Sequence, residues 1–231
     1  MSKYKVVMII GSEVAPMTYS ERNRAANKEW GAYRIREGLG YRSIKARCIY
    51  VDHHINAGGG QYSLAILNKG HSERSREVAQ RYVTNCCVGL GTTKPWDGDG
   101  PNDGVWVKDG TVKHTEMPAF VGEPLFIDNH SHQKILTNQA GLELLGSILA
   151  NTITEMYPNG ALVILSPGHG WYTDNKYSPG ALMRGPSPGT EMVCNEDGVE
   201  TEVAILGPLL GEEHAYSLSI LTECRQILEA V

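Results

Sequence analysis

The sequence of 231 residues predicts one α/β domain over residues 1–231, with a twisted, mostly parallel sheet and helices on both of its faces. Short apolar segments alternate with longer segments of helical period, the order that places parallel strands between two helical layers. The composition, 41% hydrophobic and 20% charged, suffices for one sizeable core and differs from that of disordered chains.

The strands and helices follow from the spacing of apolar residues. We predict strands in four short apolar segments: Lys5–Ile10, Ala46–Val51, Ala119–Ile127 and Ala161–Leu165. We predict helices in four longer segments: Tyr19–Glu37, Ser72–Asn85, Asn138–Met156 and Thr201–Ala230, with a break in the last around Gly207 and Pro208. The clearest helix is Asn138–Met156, which Tyr157, Pro158, Asn159 and Gly160 bring to an end.

Two segments without either period are predicted loops. Gly89–Gly110 is dense in Gly, Asp, Asn and Pro, and Gly168–Gly198 follows a strand directly. Loops at strand ends are where open α/β sheets place their sites. The aspartates Asp97, Asp99 and Asp103 superficially suggest calcium, but the distal glutamate of an EF-hand loop is missing.

Charge and cysteine content exclude several classes of protein. The formal net charge of -5 argues against binding to nucleic acid, and no apolar stretch is long enough to insert into a membrane. The 5 cysteines have no CxxC spacing, which argues against both a disulfide framework and a thiolate zinc site. Met1–Ile10 lacks the pattern of a signal peptide, so we expect synthesis in the cytoplasm.

Histidines follow two of the predicted strands. His169 lies between glycines after Ala161–Leu165, and taken alone it is as typical of a hydrogen-bonded loop as of a metal site. His53 and His54 follow Ala46–Val51, and alternation along a strand sends their side chains to opposite faces. At most one of the two is therefore expected to join a given site.

Two acids are further candidates. Glu123 is the one acid inside an apolar strand, where it is either an exposed strand-end residue or a general base of raised pKa. Glu200 stands at the predicted start of the last helix, where an acid can simply complement the helix dipole.

Together these segments resemble the zinc-dependent N-acetylmuramoyl-L-alanine amidases. The family pattern is a strand with PGHG, a Glu that starts the next helix, a His in S-x-H-x-N-A, and a late P-A-x-x-x-E-x-x-F-x-x-N segment. The matching segments here are Pro167–Gly170, Gly198–Val203, Asp52–Ala57 and Pro118–Asn129, and Arg22–Asn27 is similar to the family's R-x-x-x-A-N helix. The resemblance covers nearly the whole chain, although Asp52 replaces the family's Ser and Thr201 replaces a Lys.

The resemblance implies a peptidoglycan amidase with one Zn²⁺ per chain. It makes His169, Glu200 and His54 the metal ligands, and leaves one position of the metal open to water. Glu123 then takes a proton from that water and passes it to the leaving amine. Trp171, Tyr172, Asn56 and Asn129 are candidates for contacts with sugar or stem peptide.

The order of the motifs departs from the family. The family begins with the PGHG strand and ends with the helix that follows the P-A-x-x-x-E segment, whereas here that last helix leads into the PGHG strand through Tyr157–Gly160. The resemblance therefore implies a circularly permuted amidase-like topology, which a short turn allows when the ends of the family's fold lie close together.

Other functions remain open from the sequence. The same ligands would serve another zinc hydrolase of amide bonds, such as a peptidase or deacylase. A wall-binding or virion structural protein without catalysis is a further alternative. An enzyme of the expected kind without a wall-binding module is typical of a phage endolysin that reaches the wall after release, or of a cytoplasmic recycling enzyme. The sequence does not indicate an oligomeric state.

Overall fold

The structure is a computed structural model, and it confirms the predicted α/β class. It describes residues 2–11, 13–38, 47–95, 103–108, 110–171, 177–184, 190–194, 200–204 and 209–231, with backbone only at Trp171, Tyr177, Arg184, 190–194, 200–204 and 209–210. In this part of the chain the helices are α1 (Tyr19–Arg36), α2 (Glu73–Leu90), α3 (His130–Leu136), α4 (Gln139–Met156) and α5 (Glu213–Ala230). The strands of the main sheet are β1 (Lys5–Met8), β2 (Cys48–His53), β3 (Leu64–Leu67), β4 (Val105–Val107), β5 (Ala119–Glu123) and β6 (Leu162–Pro167).

The main sheet has the order β1-β6-β2-β5-β3-β4. Strands β1, β6, β2 and β5 run parallel to one another, and β3 is antiparallel to β5 but parallel to β4. The four strands predicted from the sequence are confirmed, with ends that differ by a few residues. The sequence did not indicate β3, β4 or α3, and β4 lies inside the predicted loop Gly89–Gly110.

Helices cover both faces of the sheet, as predicted. Along β2, the side chains of Ile49 and Val51 pack in a core formed with α2, α4 and α5. Their neighbours Cys48 and Tyr50 pack in the opposite core, where α1 contributes Trp30. Every residue of β2 is buried, as expected for a central strand between two layers.

The predicted helix Thr201–Ala230 is wrong in its first part. Glu200–Ala204 forms strand β11, which pairs antiparallel with β10 (Thr190–Cys194), and Leu209–Glu212 forms β12, which pairs with β9 (Leu182–Arg184). Acids alternate with Thr201 and Val203 in this segment, and β-branched residues at a period of two favour a strand. The predicted loop Gly168–Gly198 therefore contains short strands in antiparallel pairs, among them β7 (Gly170–Trp171) with β8 (Tyr177–Ser178).

The turn between α4 and β6 depends on Gly160. Its φ of +86° lies in the left-handed region, and a Cβ atom built there would be 2.1 Å from the carbonyl oxygen of Lys3. This close approach joins the turn to the backbone that enters β1.

Among the described residues, no helix combines the length and the apolar character needed to cross a bilayer.

We expect Gly160→Ala to lower the free energy of unfolding by roughly 2–4 kcal/mol, because it adds a backbone clash to the strain of a left-handed residue. Gly70→Ala is the matched control, since Gly70 has a φ of +79° but nothing within 4 Å of the added Cβ. The free energy of unfolding of Gly70→Ala should fall by only about 1 kcal/mol. Denaturant unfolding followed by circular dichroism measures both, and equal losses would contradict this account of the turn.

Candidate metal centre

The candidate site lies where three parallel strands end. Strands β2, β5 and β6 run in the same direction, so their carboxyl ends share one edge of the sheet. The amide of His54 donates to the carbonyl of Gly122, and the amide of Gly168 donates to the carbonyl of His53, at 2.9 and 2.7 Å. These bonds fix the end of β2 between its two neighbours.

The two adjacent histidines point to different places, as the alternation predicts. The ring of His53 lies in the core, with Nδ1 3.4 Å from Ser217 Oγ and Nε2 3.4 Å from Tyr82 Oη. Burial lowers the pKa of His53 to about 3 and so keeps the ring neutral. The ring of His54 instead faces the turn that carries His169, with 5.1 Å between the ring centroids.

Three side chains meet at this edge: His54, His169 and Glu213. One donor atom from each lies within 4.8 Å of the others, a cluster that could hold a metal ion. Glu213 Oε1 is 2.8 Å from His54 Nδ1 and 3.3 Å from His169 Nε2. The structure thus brings together both histidines predicted from the sequence.

The third member of the cluster is Glu213, where the sequence suggested Glu200. Glu213 is the first residue of α5, and its carboxylate is anchored by the amides of Ala181 and Ile55. Glu200 lies in strand β11, and its side chain is outside the described part of the chain. Glu213 stands at a helix start, which is where the resemblance expects a ligand glutamate, whereas the segment of Glu200 is a strand.

Glycine is needed beside His169 for close packing. A Cβ atom at Gly168 would lie 2.5 Å from the ring of His54, so a larger residue would push that imidazole out of place. His169 has a positive φ of 62°, which is uncommon for a residue with a side chain. The glycine-flanked turn therefore serves both to approach His54 and to present His169.

Each imidazole of the cluster has a partner on its other nitrogen. His54 Nε2 lies 3.3 Å from Oδ2 of Asp52, which is fully buried, and His169 Nδ1 lies 3.2 Å from Ser178 Oγ. Carboxylates and hydroxyls behind metal-binding histidines fix the orientation of the ring. Neither Asp52 nor Ser178 was assigned from the sequence, although an aspartate two residues before His54 was a visible departure from the family pattern.

The charges of the site are closely coupled. Burial opposes ionisation of His54, but the Asp52 and Glu213 carboxylates outweigh it and raise the pKa of His54 to about 10. Burial likewise opposes ionisation of Glu213, yet hydrogen bonds from His169 and His54 hold the pKa of its carboxyl below its ordinary value. Two buried carboxylates here require nearby positive charge, which a divalent cation can supply.

The donor set suits a divalent cation such as Zn²⁺. Two imidazole nitrogens and one carboxylate oxygen are a typical catalytic zinc set, and bonds of about 2.0–2.1 Å in a tetrahedron separate the donors by about 3.3 Å. The contact between His169 Nε2 and Glu213 Oε1 already has this length of 3.3 Å, and that between His54 Nδ1 and Glu213 Oε1, at 2.8 Å, must open slightly.

Glu123 ends β5 on the same edge of the sheet. Burial raises the pKa of Glu123, the charges of His54 and Glu213 act on it in opposite directions, and Asn56 donates a hydrogen bond to it. Glu123 is therefore near the cluster without belonging to it.

Three of the residues predicted to contact the substrate, Asn129, Trp171 and Tyr172, are not part of the cluster as far as the structure describes them. Asn129 caps α3: its Oδ1 accepts hydrogen bonds from the amides of Ser131 and His132, and its Nδ2 donates to Gly60. The backbone of Trp171 lies in β7 next to His169, but its side chain and the whole of Tyr172 are outside the described residues.

Among the residues whose side chains are described, no other acid or histidine joins the cluster. Asp103 accepts hydrogen bonds from Arg76, Gln80 and the amide of Val105, and Asp97 and Asp99 are outside the described residues. His132 accepts a hydrogen bond from the amide of Phe126.

In comparisons with known proteins, no family model and no curated protein sequence matches the chain.

The cluster predicts which glutamate a metal requires. We expect Glu213→Gln to weaken Zn²⁺ binding by more than the roughly 10–100-fold that follows loss of a residue behind a ligand. Glu200→Gln is the matched control and should bind Zn²⁺ like the unchanged protein. Competition with a chromophoric chelator measures both affinities. Loss of binding in Glu200→Gln alone would restore the assignment made from the sequence.

Proposed function

We propose that the protein is a zinc-dependent amide hydrolase of the N-acetylmuramoyl-L-alanine amidase type. The observation that carries the proposal is the meeting of His54, His169 and Glu213 at the carboxyl edge of the sheet. These three residues would hold a Zn²⁺ ion and would leave it open to water, as in catalytic rather than structural zinc sites.

The position of Glu123 supports catalysis at this centre. It lies on the strand next to β2 and is partly buried, and the loss of solvation raises the pKa of its carboxyl. A carboxylate of raised pKa can both accept and return a proton near neutral pH. In the motif resemblance, Glu123 has the same role.

The proposed reaction cleaves the amide between the lactyl group of N-acetylmuramic acid and L-alanine. A bound Zn²⁺ ion would supply Lewis-acid chemistry, making water a nucleophile near neutral pH and polarising the carbonyl. Glu123 takes a proton from the attacking water. It then donates this proton to the amide nitrogen as the C–N bond breaks, which yields a lactyl carboxylic acid and a free amine on L-alanine, and the acid loses its remaining proton to solvent.

The two ends of the described chain support a permuted order of the family's elements. Ser2 Oγ donates a hydrogen bond of 2.9 Å to the carbonyl of Leu228, near the end of α5. In the family order, α5 would lead towards β1, and α4 and β6 would be the two ends. Here the turn at Tyr157–Gly160 joins α4 to β6, so the same neighbours are kept with a different connection.

The amide substrate places the proposed activity at the cell wall, as for a phage-type endolysin. Peptidoglycan of several stem-peptide types, digested with the zinc-loaded protein, tests the bond that is cut. We expect new amino groups on L-alanine, and neither new reducing sugar ends nor released acetate. Chelator-treated protein is the control. New amino groups on another residue would assign a peptidase, and released acetate would assign a deacylase.

Substitution of Glu123 separates metal binding from catalysis. We expect Glu123→Gln to keep its affinity for Zn²⁺ and to lose roughly 10²–10⁴-fold in turnover, since it removes the group that moves the proton. Glu116→Gln is a matched control, because Glu116 is an exposed acid shortly before the same strand. Normal clearing of a peptidoglycan gel by Glu123→Gln would contradict the assignment.

A further inference from the structure

Arg22 of α1 is a cation buried completely beneath the metal centre. Its Nη1 donates to the carbonyl of Pro167 at 2.6 Å and lies 3.4 Å from Ser166 Oγ. Its Nη2 donates to the carbonyl of His169. All three acceptors belong to the end of β6 and to the turn that presents His169.

The burial of this guanidinium is not explained by an ion pair. Among the described residues, no carboxylate oxygen lies within 4.0 Å of it, and its Nε has no hydrogen-bond partner. Besides its three hydrogen-bond acceptors, only the ring of Tyr19, 5.4 Å away, and the more distant charge of Asp52 are shown to compensate it among the described residues. Burial of a charge under these conditions is unfavourable, and an apolar side chain would join α1 to the sheet at lower cost.

The hydrogen bonds of Arg22 hold a strained part of the backbone. His169 adopts a φ of +62°, in the left-handed region that a residue with a Cβ rarely occupies. Its carbonyl accepts from Arg22, and its amide donates to the hydroxyl of Tyr19 at 3.2 Å. Helix α1 thus engages both polar groups of this peptide segment, and the ring of His169 then reaches Glu213.

We propose that Arg22 is a positioning residue of the metal centre, which holds His169 in the left-handed conformation that aims its imidazole at the cation. The role rests on the metal site of the proposed function and does not depend on the substrate. Arg22 is not in the donor cluster, so it acts through the backbone of His169. The planar guanidinium is suited to this because its two ends reach two carbonyls at once.

Metal affinity of the folded protein is the decisive measurement. Arg22→Met keeps the approximate length of the side chain and removes its charge and donors. We expect it to unfold cooperatively but to bind Zn²⁺ about 10–100-fold more weakly, as for other residues that orient a ligand. Arg24→Met, on the same helix with a side chain that is 70% exposed, is the control and should bind like the unchanged protein.

Co²⁺ in place of Zn²⁺ adds a readout of the geometry. Its visible spectrum depends on the arrangement of ligands, so a displaced His169 should alter the spectrum at full occupancy in Arg22→Met. A role in stability alone would change the unfolding midpoint and leave both the affinity and the spectrum of the folded protein unchanged. That result would overturn the proposal.

Arg22→Lys decides the matter if Arg22→Met does not fold. A single ammonium group cannot replace both ends of the guanidinium, so we expect a folded protein with weakened Zn²⁺ binding. Unchanged affinity in Arg22→Lys would also overturn the proposal. These titrations need no peptidoglycan. Failure of the unchanged protein to bind Zn²⁺ would instead refute the proposed function, and the positioning role with it.

Discussion

The site depends on the balance of charge around His54. This imidazole lies between two buried carboxylates, with Glu213 at 2.8 Å and Asp52 at 3.3 Å. Buried carboxylates are stable only where positive charge or donors surround them. In this protein the amides of Ile55 and Ala181 donate to the Glu213 carboxylate. The positive charge comes from the proton on His54, or from a metal cation that replaces this proton. The same carboxylates that raise the pKa of His54 would attract a divalent cation.

The fold meets this requirement by bringing several chain segments to one edge. Parallel strands β2 and β6 end side by side, and a histidine of the cluster follows each of them: His54 directly after β2, and His169 two residues after the end of β6. The Glu213 carboxylate lies in the first turn of α5, directly after β12, and β12 pairs with β9. Glu213 is also hydrogen-bonded to Ala181, the residue before β9, through its amide and its carboxylate. The three candidate ligands therefore lie in or within two residues of a strand or helix, which favours a defined geometry of the cluster.

The order of the elements along the chain matters less than their neighbours in space. Ser2 and Leu228 are in contact, and a short turn at Gly160 joins α4 to β6. The sheet order and the cores on both of its faces are formed by contacts that a change of connection would leave in place. For the proposed amidase function, such contacts would allow the motifs to occur in another order along the chain.

The sequence by itself determined the α/β class, the four main strands, most helices, and the two histidines of the cluster. These features are local: apolar periodicity encodes strands and helices, and a histidine directly after a buried strand must lie at the edge of the sheet. The alternation of side chains predicts that at most one of His53 and His54 joins the site, and the choice of His54 rests on the motif resemblance.

Only the tertiary structure decided the third member of the cluster, the partners of the imidazoles, and the role available to Arg22. Glu200 and Glu213 are both acids in a segment read as one helix, and no local pattern says which of them meets β2 and β6. That choice depends on the pairing of β9 with β12, a contact between residues far apart in the chain. Long-range pairing of this kind is set by the packing of the whole domain, whereas periodicity reports only on neighbours in sequence.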